Sequence, residues 1–257
     1  MEKISAVVIT KNEELNIEAC LRSISFADEI IVVDAASNDR TVEIAKRFTK
    51  KIFIRKWDNY ANQKNFGIDR TRNRWVLSID ADERASFGFR QEIERLKYDK
   101  DGYLLPLKNY FLGRWLKRGG QYPDHHLRLF KKNQGRFLFN GRQVHEGVYL
   151  KTKNTGRTTS GLDHYSYTNI YSYFRKFNNY TYLDALGRFE SGETPSYYGL
   201  FFRPVHRLFK WYVFKLGLLD GVHGLVFHTF SAFYYFICEL KLFEYYEFKT
   251  GELKWRR

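Results

Sequence analysis

Apolar strands that stop abruptly at an acid are the feature that most constrains this chain. Trp75–Glu83 reads Trp-Val-Leu-Ser-Ile-Asp-Ala-Asp-Glu. Val76, Leu77 and Ile79 form a short apolar run with Ser78 small enough to sit inside it, the pattern of a strand buried on both faces of a parallel sheet. The run ends in Asp80, Asp82 and Glu83, and acids so crowded repel one another unless a cation or a positively charged ligand lies among them. In open α/β sheets the carboxyl ends of the strands are where ligands bind. Asp80 and Asp82 are two residues apart and share one face of an extended chain. Two such carboxylates are the hard oxygen ligands that Mg²⁺ or Mn²⁺ takes, completed by substrate phosphates. Asp-x-Asp alone reads more readily as a solvated acidic turn, so its weight depends on the strands around it.

The same design recurs upstream. Ile4–Thr10 is an apolar strand running into Lys11-Asn12-Glu13-Glu14, and Glu29–Asp34 is another that an acid closes. Helices are expected over Glu14–Ile24, with Leu15, Ala19 and Leu21 facing inward, and over Thr41–Phe48, capped by Ser37, Asn38 or Asp39. Lys51–Ile54 reads as a third strand and Asn59–Asp69 as a helix carrying Gln63, Lys64 and Asn65. Strand–helix alternation with short connections signals an α/β fold, a doubly wound, mostly parallel sheet. Such a sheet would bring Thr10, Asn12, Glu13, Asp34, Asp80 and Asp82 to one edge. Amides at Gln63 and Asn65 and the Lys64 cation, on a single helical turn, suit a diphosphate.

Beyond Ser86 the rhythm changes. A helix over Phe89–Leu96, strands over Gly102–Phe111 and Leu127–Lys132, and a basic loop at Arg114–Gly120 are expected. Helical, aromatic segments then run over Ile170–Leu186, Tyr197–Leu218 and Val222–Phe248. Most of the 23 Phe and 19 Tyr lie beyond residue 100, so the halves suit different surroundings. The division expected is residues 1–168 for the α/β domain that carries the strand-end acids and 169–257 for a helical, membrane-associating extension.

Four motifs in order carry a resemblance: Ile-Thr-Lys-Asn-Glu-Glu (9–14), Val-Val-Asp-x-x-Ser-x-Asp (32–39), Gln-Lys-Asn (63–65) and Leu-Ser-Ile-Asp-Ala-Asp-Glu (77–83). Together they resemble family 2 glycosyltransferases of the GT-A fold, in the manner of bacterial lipopolysaccharide-core glucosyltransferases. The likeness continues through Tyr-Pro-Asp-x-x-Leu-Arg-Leu-Phe (122–130) and Val-His-Glu (144–146), and is weakest in the aromatic tail. It implies a UDP-sugar donor, a divalent metal (Mg²⁺ or Mn²⁺) on its diphosphate, and inverting transfer to a hydroxyl of a glycolipid or oligosaccharide. A metal neutralises the leaving diphosphate and a carboxylate deprotonates the incoming hydroxyl. Asp124 is the expected base, Arg128 a diphosphate ligand unless it pairs with a nearby acid, and His145 a third metal ligand or an acceptor contact. Where many relatives carry two acids, or a small residue plus glycine, after the second strand, this chain has Asp34-Ala35-Ala36, leaving uracil to Asp34 alone.

A net charge of +14 favours an anionic partner. Nucleic acid is one candidate, but acids at three strand ends would repel phosphate, and no nucleic-acid partner is expected. An anionic membrane surface fits better. Arg203, Arg207 and Lys210 share a helical face among Phe201, Phe202, Phe209, Trp211 and Phe214, as an interfacial helix requires. Gly221–Cys238 has no charged side chain and approaches spanning length, although His223, His228, Gly224 and Ser231 favour a buried or half-embedded hairpin. Cys20 and Cys238 match no metal or redox spacing, and the amino terminus is no secretory signal. A cytoplasmic protein, peripheral on the inner face of the cytoplasmic membrane, is the expectation. Transfer to a polyprenyl phosphate, or non-catalytic nucleotide binding, are the alternatives.

Overall fold

The computed structural model describes residues 2–138 and 147–250. The described residues form two compact units, one built on 2–108, 124–138 and 147–165, the other on 109–123 and 166–250. Residues 109–123 therefore belong with the helical tail, a grouping that a single cut at 168 does not contain.

In the first unit the acid-ended strands lie side by side. β1 (Ile4–Thr10) pairs in parallel with β2 (Glu29–Asp34) and with β4 (Trp75–Asp80), and β3 (Ile52–Ile54) continues the parallel half beyond β2. Register sets Thr10 opposite Asp34 and Ile9 opposite Asp80, so their carboxyl ends share one edge. Every residue of β1 is buried, and its alternating side chains feed two cores. Ala6 and Val8 join Leu21, Leu77 and Ile79 on one face, while Val7 and Ile9 join Val33, Ile68 and Val76 on the other. Helix α3 (Tyr60–Asp69) packs on the second face, where a Cβ on Gly67 would stand 2.4 Å from Val7 Cγ1. Only glycine permits that close approach.

Past β4 the sheet becomes antiparallel. β8 (Asp124–Lys131) runs against β4 and against β6 (Gly102–Phe111). β12 (Leu162–Tyr167) runs against β5 (Glu83–Ala85), and the sheet order is β3-β2-β1-β4-β8-β6-β12-β5. The alternating half follows the sequence pattern closely, with shorter helices at α1 (Ile17–Ser23) and α2 (Thr41–Ala45). Leu15 corrects the expected inner stripe: it lies ahead of α1 and is 86% exposed, while Ile17, Cys20 and Leu21 face inward. Ser86 accepts from Phe89 N–H and starts α4 (Phe87–Arg95). The strands β5, β9 (Gly135–Leu138), β10 (Gly147–Leu150), β11 (Thr155–Arg157) and β12 were not apparent in the sequence.

In the second unit, β7 (Arg114–Trp115) folds back on Tyr110 and Phe111, in place of the expected open loop. α5 (Ile170–Glu190), capped by Asn169, packs with α7 (Gly221–Thr250) around Phe111, Leu116, Tyr173 and Phe177. Residues 221–238 are thus the first half of one continuous helix rather than a hairpin, and among the described residues no helix is long and apolar enough to cross a membrane. The stretch expected as one helix from Tyr197 is broken: α6 (Arg203–Leu208) is flanked by π-wound turns at Tyr198–Phe202 and Phe209–Phe214.

Candidate active site

The end of β4 gathers a buried charge cluster. The Asp80 carboxylate lies 3.1 Å from Lys64 Nζ on α3 and 3.2 Å from Arg128 Nη2 on β8. Arg128 Nη2 also donates to Glu83 Oε1 at 2.6 Å, and Glu83 accepts Asp80 N–H at 2.8 Å. Burial opposes ionisation of Asp80, but the Lys64 ammonium and the Arg128 guanidinium outweigh it and hold the carboxyl well below the usual carboxylate range. Burial pushes the Glu83 carboxyl up; Arg128 draws it back, and the Asp80 charge adds to the rise. Asp80 is therefore ionised, and Glu83 is a structural acid that locks Arg128 and turns the chain after β4. The repulsion expected among these acids is relieved by two cations of the protein itself.

Asp82 is largely buried, and His164 Nε2 of β12 stands 3.6 Å from its Oδ1. Sequence reasoning missed His164. No local signal ties residue 164 to residue 82; the link is the pairing of β12 with β5, which sets His164 opposite Glu83. His145 lies outside the described residues. Among the described residues no group of three or more His, Cys, Asp or Glu is arranged to hold a metal ion. Mg²⁺ nevertheless needs only one or two protein carboxylates when phosphates and water complete its shell, and Asp80 and Asp82 fit that demand.

At the ends of β1 and β2 the expected donor residues knit two loops together. The Asp34 carboxylate is fully buried and accepts from Ser37 N–H and from Ser37 Oγ–H. Ser37 Oγ in turn accepts Asn12 N–H at 2.8 Å, and Asn12 Oδ1 accepts Asn38 N–H at 2.9 Å. Asn12 sits in the left-handed region at φ 54°, which asparagine tolerates better than most residues. Asp34-x-x-Ser37 was a legible side-chain turn signal. Glu13 accepts from Asn16 Nδ2 at 2.7 Å, and Asp39, two residues ahead of α2, accepts both the N–H and the hydroxyl of Thr41. The Thr10 hydroxyl is buried and, among the described residues, makes no hydrogen bond.

The three residues of the α3 turn separate in role. Gln63 Oε1 accepts from Arg55 Nη1 at 2.7 Å and its amide donates to Arg55 O. Asn65 exchanges two hydrogen bonds with the Phe137 backbone. These amides hold neighbouring chain, and Lys64 is the member that meets the acidic cluster. On β8, Asp124 and His126 share one face, with His126 Nε2 3.0 Å from Asp124 Oδ2 and both side chains nearly half exposed. The register with β6 shifts at Arg128, a bulge that breaks the alternation, so Arg128 meets the Asp80 cluster while Asp124, up to about 13 Å along the strand, lies away from it.

The stretch that carries these residues, 5–149, matches the family model of glycosyl transferase family 2. The chain belongs to glycosyltransferase family 2. Its similarity to the lipopolysaccharide core biosynthesis glycosyltransferase LpsC of Rhizobium meliloti (strain 1021) is 28% identity over 96% of this chain and 94% of that protein. An uncharacterised glycosyltransferase of Rickettsia bellii (strain RML369-C) is 31% identical over 95% of this chain and 87% of its own length. Among solved structures, S. aureus TarS 1-349 in complex with UDP aligns over 97% of this chain and 92% of that one, at 12% identity and a TM-score of 0.49. As a family 2 enzyme, the chain is a sugar transferase with the mixed α/β sheet described above.

Proposed function

We propose that this glycosyltransferase moves a glucose-type sugar from UDP-sugar, with inversion, to a hydroxyl of a lipopolysaccharide-core or other surface glycolipid. The observation that carries this reading is the register that aligns Thr10, Asp34 and Asp80 at one sheet edge, with Lys64 and Arg128 closing on Asp80. The likeness to LpsC over nearly the full length of both chains supports the acceptor class.

The nucleotide lies over the ends of β1 and β2. Asn12 and Glu13 shape the loop beside Thr10, and the buried Asp34 holds that loop through Ser37 and so sets the backbone edge that meets the base. Gln63 and Asn65 keep α3 in place so that Lys64, with Arg128, supplies positive charge to the diphosphate. Asp80 and Asp82 would hold Mg²⁺ or Mn²⁺ there, with His164 a nearby nitrogen. That ion would neutralise charge developing on the leaving diphosphate. Asp124 takes the proton of the acceptor hydroxyl as it attacks, on the side away from the metal acids. His126 steadies its carboxylate. Residues 1–168 thus carry donor and chemistry, and the helical part brings the enzyme, as a peripheral protein, to the anionic inner face of the cytoplasmic membrane where a glycolipid acceptor resides.

The test is calorimetric titration of UDP-, GDP- and dTDP-sugars with and without Mn²⁺. One UDP-sugar should bind with metal, and Asp82→Ala should abolish that binding. Asp124→Asn should keep donor binding while transfer falls about 10²–10⁴-fold. A folded protein that binds no donor would overturn the reading, and unchanged turnover would remove Asp124 from the base role.

A further inference from the structure

Resting on the membrane reading above, we propose that the groove between α6 and α7 is a lipid site. It receives an acyl chain of an anionic phospholipid while the cations beside it hold the headgroup phosphate. The groove has a volume of about 400 Å³ and an almost wholly apolar lining, including Leu200, Pro204, Val205 and Leu208 on one side and Ala232 and Phe236 on the other. The lining residues of α6 recur at helical spacing, so they form one face.

Around the groove, large apolar side chains stand in solvent. Phe202 is 65% exposed, Val205 54% and Phe214 77%, and Phe201, Phe209, Leu219 and Val222 are each more than half exposed. Scattered exposed apolar residues are ordinary, but a run along one segment marks an interaction surface. What it binds follows from charge. Residues 197–219 contain no Asp or Glu, yet they hold Arg203, Arg207, Lys210 and Lys215.

These cations are not spent on carboxylates. Among the described residues, Arg203 and Arg207 lie over the Tyr235 ring of α7, at 5.1 and 4.4 Å, and Lys210 lies over Trp211. Arg207 Nη2 donates to Tyr235 Oη, while its Nε is buried without a hydrogen-bond partner. The rings meet the charged groups themselves and bring no negative charge, and among the described residues no carboxylate pairs with these cations beside the apolar slot. A protein partner would supply carboxylates and an apolar plug together; a bilayer supplies phosphate and acyl chain in that same adjacency. The π-wound turns on either side of α6 add a residue to a turn, a device frequent at functional positions, and here they carry the exposed Phe201, Phe202, Phe209 and Phe214.

The experiment is sedimentation of the full chain with vesicles of phosphatidylcholine alone and of phosphatidylcholine with phosphatidylglycerol. Binding should require the anionic lipid and weaken as salt is raised. Lys210→Gln with Lys215→Gln should weaken partitioning about 25-fold, from ~1 kcal/mol per cation. Phe202→Ser with Phe214→Ser should weaken it at least about tenfold, and Val205→Glu, which sets a carboxylate on the lip of the groove, should do likewise. These side chains are exposed, so the variants should fold. Equal binding to both vesicles, variants that bind as the parent does, or self-association through this face without vesicle binding would each overturn the proposal. Donor titration on the same variants separates the two readings. Donor binding kept while vesicle binding is lost supports the lipid site. Vesicle binding kept in a chain that binds no sugar nucleotide leaves the lipid site standing and removes the transferase mechanism.

Discussion

At the end of β4, Asp80 and Glu83 are met by Lys64 and Arg128 within 3.3 Å, whereas Arg203, Arg207 and Lys210 of the second unit meet aromatic rings and, among the described residues, no carboxylate. Both regions are charged, and burial separates them. A charge taken out of water must find a partner inside the protein, so the β4 acids are answered by the protein's own cations and the geometry they offer a ligand is set by the fold. Charges that stay at the surface bear no such demand and remain available to something outside. The first region recognises by fixed position, the second by an excess of one sign beside exposed apolar area.

The largest test of that contrast is Arg128→Met. It leaves Glu83 buried without its cation and should destabilise the protein by about 3–5 kcal/mol in urea titration. Because the folded-state pKa of Glu83 is raised, its favourable contribution is complete below the ordinary glutamate value, about 4.3, and is lost as pH rises. The deficit of the variant should therefore be greater at neutral pH than near pH 5; a deficit under ~1 kcal/mol at both would break the comparison.

Next is Glu239→Ala, which asks whether burial or location decides. Glu239 is fully buried, 2.7 Å from Arg188 Nη2, and accepts Ser196 N–H. It lies in the second unit but is built as the β4 cluster is, and about 3 kcal/mol should be lost on thermal unfolding.

Asp80→Asn sharpens the electrostatics. The folded-state pKa of Asp80 is depressed, so its stabilisation is present above the ordinary aspartate value, about 3.9, and is lost as pH falls through the folded value. The variant should show a flatter loss of stability than the parent on acidification below about pH 4, read from urea midpoints. The smallest effect is expected from Phe214→Ser, within about 0.5 kcal/mol. A larger loss would mean that this phenylalanine packs within the protein rather than facing a partner.

Much of the parallel half was legible because its signals are local. A strand buried on both faces must be apolar throughout, and helix caps and turn residues act within three or four positions. Thr10, Asp34, Lys64, Asp80 and Asp82 were found that way. Misreadings arose where local pattern does not set the outcome. Leu15 matched a helical stripe but precedes the helix, and the aromatic stretch from Tyr197 has helical composition but breaks into α and π turns. The short strands β5 and β9–β12 have little propensity of their own and exist through their partners. Gln63 and Asn65 were chosen for their chemistry, and packing assigned that chemistry to Arg55 and to the Phe137 backbone.

Sequence alone determined the class of sheet, the family, the edge at which the acids gather and the charge of the aromatic segment. All of these follow from residue type and from spacing along a few consecutive positions. Only the tertiary structure decided which cation answers which acid. Lys64, Arg128 and His164 reach the end of β4 from 16, 48 and 82 positions away along the chain, to Asp80 for the first two and to Asp82 for the last. Strand pairing across the sheet brings Arg128 and His164 there, and the packing of α3 on the sheet brings Lys64; no feature of the local sequence does.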